Sequence, residues 1–64
     1  MKMWKVIELI RHIESDGWYL KRTKGDHRQF GHPEKKGIVT VPGKLSDDLA
    51  SGTAKHILKQ AGLL

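Results

Sequence analysis

In the run Lys24-Gly25-Asp26-His27-Arg28-Gln29-Phe30 an imidazole directly follows a glycine-containing turn and stands at the start of a strand-like segment. Histidine accepts and donates a proton near neutral pH, because its unperturbed pKa is about 6.5. Glycine at position 25 permits a positive φ and leaves room for a ligand to approach the backbone. The cations Lys21, Arg22, Lys24 and Arg28 flank the imidazole and draw anions to the same place. These residue types, in this order, fit acid/base chemistry on a phosphate-rich substrate. A lone histidine in a small domain is more often structural or simply solvated. The case for His27 therefore rests on where the rest of the chain holds it.

A chain of 64 residues fits one domain, spanning 1–64. At this size only about 60% of the unfolded surface is buried, so the core is one thin layer without a deep pocket. A large, flexible partner lying across an exposed face suits such a domain better than a buried metabolite. Cysteine is absent, which excludes thiolate catalysis and thiolate zinc sites and fits a reducing cytosol. No apolar run has the length of a membrane span or a signal sequence, so a soluble, cytoplasmic protein is expected. Twelve Lys and Arg against seven Asp and Glu give a formal charge of +5, the electrostatic footprint of a nucleic-acid binder. The excess sits in the middle third, where Lys21, Arg22, Lys24, Arg28, Lys35 and Lys36 face only Asp26 and Glu34.

The elements that must position these residues follow from periodicity. Met3, Val6, Ile7, Ile10 and Ile13 recur at helical spacing and predict an amphipathic helix from Met3 to Ile13, ended by Ser15-Asp16-Gly17. Trp18 to Thr23 reads as a first strand and Lys24-Gly25-Asp26 as a tight turn. His27 to His32 forms the returning strand, His32 to Gly37 the next turn, and Ile38-Val39-Thr40-Val41 the third strand, stopped by Pro42-Gly43. Lys44 to Ala50 has no clear period and reads as loop. Ala54, Ile57, Leu58 and Ala61 then mark a second helix, with Ser51 as N-cap and Gly62 as C′ residue. The expected fold is α+β, in the order α-β-β-β-α: a three-stranded antiparallel sheet with both helices on one face.

Strand alternation sorts the side chains between faces. Phe30 is the only strong hydrophobe of the second strand, so it faces the helices with Arg28 and His32, and His27 and Gln29 point to the open face. In the first strand, a core-side register for Trp18, Leu20 and Arg22 puts Tyr19 and Lys21 on the open face. His27 and His32 then face opposite ways, and His12 and His56 lie on separate helices, which argues against a metal site. His12 and His56 both read as solvent-facing.

The chain resembles the HicA-like toxins of bacterial toxin-antitoxin pairs. The resemblance rests on Gly17-Trp18, Lys24-Gly25-Asp26-His27 with Phe30, His32-Pro33, Val39-Thr40-Val41-Pro42, and the tail from Gly52-Thr53-Ala54 through Ile57-Leu58-Lys59-Gln60-Ala61-Gly62-Leu63. It implies a fold like a minimal double-stranded-RNA-binding domain and a metal-independent, cofactor-free endoribonuclease acting on mRNA, neutralised by a HicB-like antitoxin. His27 takes the catalytic position. Many members have serine in place of Asp26 and often a second histidine in place of Arg28. The implied chemistry is attack of a ribose 2′-hydroxyl on the adjacent phosphorus, with His27 as base or acid and Lys24 or Arg28 against the developing charge. Lys21, Arg22, Lys24, Gly25 and Arg28 form the expected RNA-binding set, and the second proton-transfer group is not specified. Two readings compete with it: a non-catalytic module that binds duplex nucleic acid by shape and phosphate contacts, and an interaction protein that pairs through an exposed strand edge.

Overall fold

The computed structural model describes residues 3–64. In chain order the elements are β1 (Trp4–Lys5), α1 (Val6–Glu14), β2 (Tyr19–Lys24), β3 (His27–Gly31), β4 (Val39–Val41), β5 (Asp48–Leu49) and α2 (Ser51–Gln60). The strands β2, β3 and β4 form the expected antiparallel meander, with β3 in the middle. Val6, Leu9, Ile10 and Ile13 of α1 and Ala54, Ile57 and Leu58 of α2 join Phe30, Val39 and Val41 in one core. Both helices therefore lie over the face of the sheet that Phe30 points to. The result is a slab only 16 Å thick along its shortest axis.

Two expectations change at the chain start. Residues 3–5 do not continue the helix: Met3 is exposed, and Trp4 and Lys5 pair with Leu49 and Asp48 in a separate two-stranded ribbon. The physical cause lies in the first turn of α1, whose N–H groups have no partner within the helix. Val6 donates to the Asp47 carbonyl at 2.9 Å and Ile7 to that of Leu45 at 3.1 Å. Those bonds bring the segment read as loop against the helix start, where Asp48–Leu49 becomes a strand. The Glu8 carboxylate accepts from the Lys5 backbone N–H at 3.0 Å, half of a capping box. At the other end of the chain Ala50 rather than Ser51 is the N-cap of α2. Gly62, at φ 73°, closes that helix with the paired bonds of a Schellman turn, Leu63 to Leu58 and Gly62 to Lys59.

A polar clamp ties the two helix ends to the sheet. His32 is nearly buried, packs edge-on to Trp18 with ring centroids 5.1 Å apart, and accepts at Nδ1 from the backbone N–H groups of Glu34 and Lys35. Its Nε2 therefore carries the proton and donates to the Asp16 carbonyl at 2.6 Å. Lys35 donates to the Asp16 carboxylate and to the Ala61 carbonyl, which also accepts from the Trp18 indole. Among the described residues no helix is long and apolar enough to cross a membrane.

The Lys35 ammonium, hydrogen-bonded to Asp16, holds that carboxyl below its usual range against the opposing pull of partial burial. A lowered folded-state value means that the pair stabilises fully above the unfolded pKa of about 3.9 and that this contribution is lost as pH falls through the folded value. Asp16→Asn should accordingly flatten the fall of the unfolding midpoint as pH drops below about 4, read by circular dichroism. Phe30→Ala removes about 3–5 kcal/mol. A core this small rarely supplies more than that, so the variant should show unfolded amide dispersion by NMR at 25 °C.

Candidate active site

The face of the meander away from the helices is built by β2 and β3. Leu20 stands opposite Phe30, but the next pair is Arg22 with Gln29, so the register shifts across Lys21. One extra residue in a strand reverses the side taken by everything after it. Arg22 therefore shares a face with Gln29, and its Nε donates to Gln29 Oε1 at 3.0 Å. This corrects the core-side register expected for Arg22. Lys21 and Tyr19 lie on the uncovered face as alternation predicts, both folded over Gly31. A Cβ at Gly31 would stand 2.6 Å from Lys21 Cδ and 3.3 Å from the Tyr19 hydroxyl. Glycine at this position lets the lysine stem cross the strand.

Lys24 is the cross-strand partner of His27, which puts an ammonium and an imidazole on the same face at the tip of the hairpin. Gly25 supplies the φ of 60° that this turn requires, and nothing lies within 4 Å of where its Cβ would be, so the backbone there is open to a ligand. Arg28 points the other way. It stands opposite Val41 and its Nη1 donates to the Gly43 carbonyl at 2.9 Å, which anchors the end of β4 instead of flanking His27. The five expected RNA-contacting residues are thus not brought together. Lys21, Arg22 and Lys24 share the uncovered face with His27, Gly25 makes the turn, and Arg28 leaves the group.

The His27 side chain is 56% exposed, and its Nδ1 lies 2.9 Å from Asp26 Oδ1. An ionised carboxylate only accepts, so the proton of the neutral ring is assigned to Nδ1 and the lone pair to Nε2. Asp26 forms the turn and also orients the ring. Two shallow concavities meet at Ile38, and this imidazole lines one of them. One, of about 300 Å³, is lined by Lys21, Arg22, Gln29 and Ile38. The other, of about 350 Å³, has His27, Thr40 and Pro42 on the sheet and Thr53, His56 and Gln60 on α2. Ile38, which is 46% exposed, belongs to both and stands between them. Helical spacing places His56 on the exposed side of its helix, as found, but gives no sign that this side borders the concavity of His27.

The chain matches a known family over nearly all of its length. Residues 7–63 match the family model described as HicA toxin of bacterial toxin-antitoxin. No curated protein matches the chain.

If Asp26 sets the His27 tautomer, Asp26→Ala should shift the imidazole ¹⁵N resonances away from the Nδ1–H pattern at a pH where the ring is neutral. The His32 resonances, fixed by separate partners, should not move.

Proposed function

The chain belongs to the HicA toxin family of bacterial toxin-antitoxin systems, and from that premise we propose that it is an mRNA-cleaving endoribonuclease whose activity depends on His27. The observation that carries this reading is the imidazole on the uncovered face, with Asp26 on Nδ1, Nε2 left open, and Lys24 across the strand pair. A neutral histidine in that tautomer is a proton acceptor at Nε2. We assign it as the general base that takes the proton of a ribose 2′-hydroxyl.

The 2′-oxygen then attacks the adjacent phosphorus, the bond from phosphorus to the 5′-oxygen breaks, and the products are a 2′,3′-cyclic phosphate and a free 5′-hydroxyl. Negative charge accumulates on the non-bridging oxygens during attack. The Lys24 ammonium beside His27 meets that charge, in the role that fixed cations play at other developing anions. Arg22 and Lys21 continue the cationic track along β2 and hold the flanking phosphates, and the open backbone at Gly25 lets the strand approach. His27 takes the proton of the 2′-hydroxyl, and an acid of the protein supplies the one that the departing 5′-oxygen gains, so the scheme as proposed calls on no metal ion or cofactor. Acting on mRNA places the protein in the cytosol. A HicB-like antitoxin that covers the same face would block it by occupying the track.

His27→Ala should lower RNA cleavage by at least about 10²-fold while leaving the fold intact. Replacing the attacking 2′-hydroxyl by hydrogen should abolish cleavage by the unaltered protein. Lys24→Ala should weaken binding of a 2′-deoxy analogue and reduce the slope of log affinity against log salt by about 0.7. Full cleavage by His27→Ala would contradict the assignment, and RNA binding with no cleavage by any form of the protein would favour a non-catalytic module.

A further inference from the structure

Cleavage by a 2′-hydroxyl moves two protons, and the oxygens concerned lie on opposite sides of phosphorus in an in-line displacement. A base on one side leaves the departing 5′-oxygen in need of an acid on the other. We propose that His56 is that acid. The proposal rests on the ribonuclease reading above.

The two imidazoles line one concavity of about 350 Å³, His27 from the strand side and His56 from the helix side. Thr40 and Pro42 of the sheet lie along the same concavity. This arrangement follows from how α2 is seated. Ala54, Ile57 and Leu58 are buried, and the row Thr53, His56 and Gln60 is carried at the margin of that buried stripe, beside β4. A phosphodiester bound in that concavity would border both rings.

The alternatives for the acid are less suitable. The Tyr19 hydroxyl sits over Gly31, at the far end of β3 from His27 and about 14 Å along the strand. Lys21 lies over the same glycine. Lys24 is near, but an alkylammonium is a poor general acid at neutral pH, whereas imidazole as a group is suited to that task. His56 makes no hydrogen bond or ion pair among the described residues, so its ring is free to turn toward a bound strand. The charged groups around it are Lys55 and Lys59 on its own helix, which line a neighbouring concavity with it, and His27, bonded to Asp26, which lines the concavity it shares with His56. The lysines favour an approaching phosphate.

In the balanced step, His56 in its imidazolium form donates one proton to the 5′-oxygen as the P–O5′ bond breaks, and His27 gains the one lost by the 2′-oxygen. Both rings return to their starting states by exchange with water.

The test uses a mixed-sequence RNA on which the unaltered protein has been mapped to one cleaved linkage, and the same RNA with sulfur in place of the 5′-oxygen there. A thiolate departs without protonation. His56→Ala should cleave the oxygen RNA at least about 10²-fold more slowly, lose the basic limb of the pH–rate profile, and recover to near the unaltered rate on the sulfur RNA. His56→Gln, which keeps the side chain polar, should behave in the same way, and circular dichroism should show both variants folded. His27→Ala should be slow on both RNAs. Unaltered rates for His56→Ala on the oxygen RNA, or equal losses on both RNAs, would overturn the assignment of His56 while leaving that of His27 standing. Undiminished cleavage by His27→Ala would instead remove the ribonuclease reading, and the role of His56 with it.

Discussion

Phe30 is fully buried in the central strand, and strand geometry then leaves its neighbours no choice of side. Arg28 joins it toward the helices, and His27 and Gln29 turn to the uncovered face, where Gly31 lies beneath Lys21 and Tyr19. A one-residue slip of β3 would bury the imidazole and expose the phenyl ring. Burying that ring is worth about 1.5–3 kcal/mol, a large share of what so small a core supplies. The exposure of His27 is thus fixed by the strongest single packing requirement of the sheet and not by any contact of the histidine itself.

A second constraint acts on β2. The shift of register at Lys21 moves Arg22 and Lys24 onto the face of His27, whereas strict alternation from Leu20 would have sent them to the helix side. All six residues of β2 are exposed, so the helical layer covers β3 and β4 and leaves the outer strand free to carry cations. The clamp of Asp16, His32, Lys35 and Trp18 holds the ends of both helices to the opposite end of β3 from His27. Rigid packing and candidate chemistry therefore occupy the two ends of one strand, and neither makes demands on the residues of the other.

Much of this was legible from residue order. The helical stripe of Val6, Ile7, Ile10 and Ile13, the short strands divided by Gly and Pro turns, and the isolated Phe30 dictated the meander, the helical layer and the outward His27. What stayed hidden has physical reasons. A bulge within a polar strand leaves no periodic trace, because Lys21, Arg22, Thr23 and Lys24 are equally at home on either face. Two-residue strands such as β1 and β5 are shorter than one period of alternation, and they form only because the unpaired N–H groups of α1 bind the segment around Asp47. The setting of His56 depends on where α2 sits beside β4, a tertiary fact that helical spacing does not contain.

The surface that we propose receives RNA is the uncovered face of the hairpin, continued across β4 to the flank of α2. Its most direct measurement is the map of amide chemical-shift changes on titration with an RNA made uncleavable by 2′-O-methyl groups. Changes should concentrate at Arg22, Lys24, His27, Gln29 and Thr40 and extend to Thr53 and His56, with Glu8, Arg11 and the clamp residues still. Changes confined to the outer side of α1, with the hairpin silent, would contradict it.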